Sequence, residues 1–207
     1  MEKGSEGCMS NESPASAPAI ADPAPLGLLG FGFTTLMLSL SNANLFKGAD
    51  GVGLVLALAV FYGGGAQLVA GIWDFRRGNL LGATAFFSYG SFWLIFWYWA
   101  KEEGGQGATA NGVAWFFLGW AVITAIFTLA ALKNSHALIA TLFFLTLTFL
   151  FLAFGSWQNA TGTDPAALTK VGGWLGIVTG LLAWYTAAST IVNTTHKREL
   201  LPANLKR

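Results

Sequence analysis

Six uncharged apolar runs, each close to the ~20 residues that a helix needs to cross a bilayer core, recur along this chain. They span residues 26–45, 51–73, 80–100, 112–132, 137–157 and 171–193. In lipid a backbone must satisfy its own N–H and C=O groups, so an open run of this length has to be helical. The predicted fold is therefore all-α, a polytopic membrane protein of six transmembrane helices. Composition agrees, because 10% of residues are charged where a soluble domain carries about 25%.

The 207 residues leave no room for a second domain. A Ser-, Pro- and Ala-rich leader, residues 1–25, has no apolar core of the kind a signal peptide needs and is expected to be a disordered cytoplasmic tail. Residues 26–193 form the transmembrane domain, and 194–207 a basic cytoplasmic tail. Connections at 46–50, 74–79, 101–111, 133–136 and 158–170 are short and carry the polar residues. Eight Lys or Arg residues fall on the side of the two termini and three (Lys47, Lys101 and Lys170) on the other. Basic residues near span ends are retained inside, so both termini are predicted to be cytoplasmic, in a multi-pass protein of a plasma or inner membrane.

The formal net charge of +1 and the lack of a basic stripe argue against nucleic acid. Cys8 is the only cysteine, which leaves no thiolate set for a metal; no metal and no cofactor are expected. Every Lys, Arg, Asp and Glu, with His136 and His196, is placed outside the six runs. Coupled transporters normally keep an acid or base at mid-membrane, so the reading favours passive conduction. A hydrolytic enzyme is disfavoured for the same reason, since hydroxyls within the spans have no histidine or carboxylate partner.

Small and polar residues within the runs narrow the reading. Gly172, Gly176 and Gly180 repeat every four residues, a seam for close helix packing within or between protomers. Phe61-Tyr62-Gly63-Gly64-Gly65-Ala66-Gln67 places three glycines in the second run, where they either admit a neighbour or let the backbone open. Gln67 is open to two readings, an interhelical hydrogen bond or a pore-lining donor. Trp73, Trp97, Tyr98, Trp99 and Trp157 sit toward run ends, where such rings anchor at the headgroup layer. Asp22-Pro23-Ala24-Pro25-Leu26-Gly27-Leu28 reads as a helix start, with Asp22 available to cap free N–H groups.

That last motif resembles the Asn-Pro-Ala-Pro-Leu-Gly-Leu signature of the acetate uptake transporter family, which includes bacterial succinate/acetate permeases and fungal acetate transporters. Phe61-Tyr62-Gly63-Gly64, Ala66-Gln67, Ala70-Gly71, Gly78-Asn79, Thr84-Ala85-Phe86 and Ser88-Tyr89-Gly90-Ser91-Phe92-Trp93-Leu94 are similar to its second and third spans. Gly173-Trp174-Leu175-Gly176 is similar to its sixth. The resemblance implies a homohexamer in which each protomer has its own narrow path for acetate and, in some members, succinate. It implies a constriction at Phe31, Tyr89 and Leu145, and a position influencing substrate size at Ala183. Asp22, Pro23, Pro25 and Gly27 carry the signature, with Asp22 standing where the family has Asn. An ionised Asp22 would repel an incoming anion unless backbone donors or a cation hold it.

Acetate has a methyl end and a carboxylate end. Phe31, Leu145 and the Tyr89 ring suit the first; Gln67, the Tyr89 hydroxyl and Thr34 or Thr35 suit the second without a fixed charge to trap the ion. The alternatives are a proton-coupled acetate symporter, a pore for ammonia or another small neutral solute, and a non-conducting assembly protein.

Overall fold

A computed structural model describes residues 20–46, 51–102, 108–162 and 166–204, the side chains of Val52 and Glu102 excepted. Most of the leader, Cys8, Lys47 and the last three residues lie outside the described residues. Six helices are long and apolar enough to cross a membrane, as the six runs predict.

The first, α1, covers Ala24–Asn42 and opens with Pro23 at its cap and Pro25 in its first turn. The missing proline N–H costs nothing there, because first-turn donors have no partner inside the helix. The second, α2, begins as Val52–Leu58, widens to π geometry over Ala59–Ala66 and returns to α geometry over Gln67–Arg77. The triple glycine therefore neither breaks the helix nor leaves it regular.

Helix α2 also runs one turn past the predicted end at residue 73. Asp-Phe-Arg-Arg continues the α conformation, and Gly78 ends it with φ of 75°. That left-handed conformation is strained for residues with a Cβ. Asp74 thus belongs to a helix and not to a connection.

Helices α3 (Leu80–Glu102), α4 (Ala110–Ala130), α5 (His136–Ala160) and α6 (Ala166–His196) complete the bundle. Thr109 and Ser135 cap α4 and α5, accepting from the N–H groups of Gly112 and Leu138. A single 3-10 turn, Ala131–Lys133, ends α4. At 31 residues α6 is about 47 Å long, which exceeds a ~30 Å hydrocarbon core.

Helix α1 lies between α2 and α6, α5 joins α6 to α4, and α3 packs on α2. Phe92 of α3 fills the space toward α4 and α5, with ring centroids 5.8 Å from Phe116, 5.2 Å from Trp120 and 5.4 Å from Phe149. The small-residue seam of α6 serves contact within the protomer. A Cβ on Gly180 would come 2.9 Å from the Gly32 carbonyl oxygen of α1, and Gly176 faces Ser39. Gly172, at the seam's end, faces Leu152 of α5.

The described part of the last segment is folded back on the bundle. The Asn193 carboxamide accepts from the N–H groups of Leu200 (2.8 Å) and Leu201 (3.0 Å) and donates to the Leu201 carbonyl. Tyr185 donates to the Pro202 carbonyl at 2.7 Å. Ala203 and Asn204 then accept from the first N–H groups of α5, those of Ala137 and His136. The face of the bundle that holds this segment is called the terminal face below.

Candidate solute pathway

Phe31 on α1, Tyr89 on α3 and Leu145 on α5 are buried. The rings of Phe31 and Tyr89 lie 5.5 Å apart, tilted by 37°. The Tyr89 hydroxyl donates to Thr124 of α4 at 3.0 Å, and Phe127 meets the ring edge-on at 5.7 Å. These contacts leave the ring little freedom. The hydroxyl that sequence offers as a solute donor is engaged by Thr124.

This ring pair separates two cavities. A vestibule of about 110 Å³ opens toward the terminal face and is lined by Leu28, Gln67, Asn79, Gly82, Asn134 and Leu142 among others. A far chamber of about 30 Å³ is lined by Thr35, Phe92, Leu145 and Thr148 among others. Phe31 and Tyr89 line both. Leu145 stands on the far side of the partition, and Leu142, one turn earlier, on the near side. No charged side chain is among the described residues that line either cavity.

Gln67 is fully buried, and neither its carboxamide oxygen nor its nitrogen has a protein hydrogen-bond partner. It follows the π stretch directly and lines the vestibule. Of its two sequence readings, the interhelical hydrogen bond is not present among the described residues. Thr35 lines the far chamber with a buried, unpartnered hydroxyl. Thr34 lines neither cavity: it donates to the Gly30 carbonyl at 2.8 Å, and its side chain fills the space that Gly63 leaves open. Ala183 is buried in α6 and also lines neither cavity. Gly27 gives its space to the Phe86 ring, 2.6 Å from where a Cβ would stand.

Asp22 is held by both kinds of group that could offset its charge. Its Oδ1 accepts from the Ala24 N–H at 3.0 Å and from the Arg77 guanidinium. The same guanidinium stands 3.6 Å from Asp74.

Asp74 corrects the expectation that the spans contain no acid or base. Its side chain is fully buried inside a membrane-length helix, and neither carboxylate oxygen meets a hydrogen-bond donor with good geometry. The cue was present in the sequence. Gln67, Ala70, Gly71 and Asp74 fall at i, i+3, i+4 and i+7, one face of a helix, and all four are buried.

Known proteins resemble the chain over most of its length. The chain is 39% identical over 186 residues to the succinate-acetate/proton symporter SatP of Escherichia coli (strain K12), covering 88% of this chain and 95% of that one. It is 39% identical over 183 residues to accumulation of dyads protein 2 of Saccharomyces cerevisiae, covering 84% of this chain and 62% of the yeast protein. The solved structure of the bacterial acetate channel SatP superposes with a TM-score of 0.80 at 37% identity, covering 89% of this chain and 99% of that chain. A family profile matches residues 6–203, and the chain belongs to the GPR1/FUN34/yaaH family.

Proposed function

We propose that this protein conducts acetate and similarly small monocarboxylates through the pathway divided by Phe31 and Tyr89. The observation that carries the reading is the partition itself, an aromatic pair between two uncharged cavities that each present an unpartnered polar group, Gln67 or Thr35. A methyl group passes rings without cost, while a carboxylate is handed between neutral donors that hold it weakly enough to release it. The names of the relatives, a succinate-acetate/proton symporter and an acetate channel, support the same cargo. The far chamber has room for little more than a water or two, so passage requires that chamber to widen.

The terminal face, with Arg76, Arg77, Lys133, Lys197 and Arg198, is the cytoplasmic one in this reading. Six protomers assemble, each with its own path, which native mass spectrometry of the detergent-solubilised protein would test.

Uptake of labelled acetate into proteoliposomes, challenged with propionate, lactate, succinate and ammonium, tests the cargo. Propionate should compete best and ammonium not at all. Competition by ammonium without competition by carboxylates would replace this reading with a pore for a neutral solute.

A further inference from the structure

The neutral pathway leaves Asp74 without a role. Asp74 lies near the terminal-face end of a 25-residue helix, and a fully buried carboxyl is costly wherever it sits unless it is paired. Here the cost is only partly offset: the Arg77 guanidinium is shared, closer to Asp22 and 3.6 Å from Asp74, and, among the described residues, the Asn79 side chain is the one neutral donor beside the carboxyl. The group nevertheless adjoins the vestibule. A Cβ on Gly82 would collide with Asp74 Oδ2 and the Asn79 amide, and Gly82 and Asn79 both line that cavity. A single glycine therefore separates the buried carboxyl from the solute path.

The charged surroundings are simple. The segment before α1 contributes Asp22 and α2 contributes Arg77, while the start of α3 presents the neutral Gly82 beside Asn79 of the preceding turn. Arg76 is turned away over the Trp73 ring, 5.7 Å from its centroid.

Resting on the conduction of carboxylates proposed above, we infer that Asp74 carries the proton that accompanies each solute, and that Arg77 switches between Asp22 and Asp74 as that proton comes and goes. With the proton on Asp74, Arg77 sits closer to Asp22 than to Asp74, the arrangement observed. When the proton leaves toward the opposite side, the bare carboxylate draws Arg77 closer than the 3.6 Å observed and loosens its hold on Asp22. Asp22 adjoins the start of α1, the helix that carries Phe31, so the exchange reaches one half of the partition.

The experiment uses wild type, Asp74→Asn and Asp74→Glu in proteoliposomes with labelled acetate, protein-free vesicles being subtracted. Counterflow, which needs no net proton movement, is run beside net uptake under an inward proton gradient and under a potassium–valinomycin potential. Wild-type net uptake should be accelerated by the gradient, which at equilibrium supports up to about tenfold accumulation per pH unit, and should ignore the potential. Asp74→Asn should retain counterflow, lose the acceleration and become sensitive to the potential; Asp74→Glu should restore wild-type behaviour. Acceleration of Asp74→Asn equal to wild type overturns the inference. Wild-type counterflow with no gradient response also overturns it while leaving the proposed cargo intact, whereas absent wild-type counterflow refutes the cargo itself. Should Asp74→Asn fail to fold, dicyclohexylcarbodiimide labelling of the active wild-type protein decides: an adduct on Asp74 that acetate diminishes supports the inference, and no adduct there overturns it.

Discussion

At Tyr89 the ring and the hydroxyl have separate duties, one dividing two cavities and the other holding that divider to Thr124. Tyr89→Phe should therefore preserve acetate selectivity and cost roughly 1 kcal/mol of stability, read as a lower unfolding temperature in detergent. Leu145→Ala enlarges the far chamber next to the partition and should admit lactate in the uptake assay; unchanged selectivity in a folded assembly would place the limiting contact elsewhere on α5. Gln67→Leu removes a donor that the protein leaves free, and one hydrogen bond to a charged group is worth ~1.5 kcal/mol, so acetate flux should fall about tenfold. Phe31, Gln67 and Tyr89 were legible because they stand in or beside dense motifs. Thr34 and Thr35 were not separable. Adjacent residues on a helix point about 100° apart, and which of them meets a cavity depends on where α1 crosses Gly63, a tertiary fact.

The elements differ from the sequence reading in two places on α2. Its extension to Arg77 was legible from the burial period of Gln67, Ala70, Gly71 and Asp74, but charge density marks Asp-Phe-Arg-Arg as a connection. The π stretch had no comparable signal, since the extra residue per turn is absorbed by packing: Gly63 faces Thr34 and Trp93, and Gly64 faces Leu94. The glycine seam of α6 was legible as packing, but not its partner. Two substitutions test the difference between a glycine that is needed and one that is not. Gly180→Ala pushes a methyl against the backbone of Gly32 and should destabilise by about 1–3 kcal/mol. Gly119→Ala on α4 meets nothing within 4 Å and should stabilise by up to ~1 kcal/mol through helix propensity. Thermal unfolding of both in the same detergent checks the contrast.

For the molecule as a whole, span number follows from run length and hydropathy because lipid leaves the backbone no alternative to a closed hydrogen-bond ladder. The arrangement of those spans does not follow, since it is set by which small residues find each other: Gly180 with Gly32, Gly90 with Gly64. Nor does a composition rich in basic residues reveal that the final segment is fastened down by Asn193 and Tyr185. Truncation after Arg198 should strip His136 and Ala137 of their N–H acceptors, and a drop in unfolding temperature together with faster amide exchange at the start of α5 would register it. Asn204 grips His136, only two residues from Asn134 at the rim of the vestibule. A bulky label carried at position 204 would consequently stand beside the mouth like a door on its hinge, and it should slow traffic without touching a residue along the proposed route.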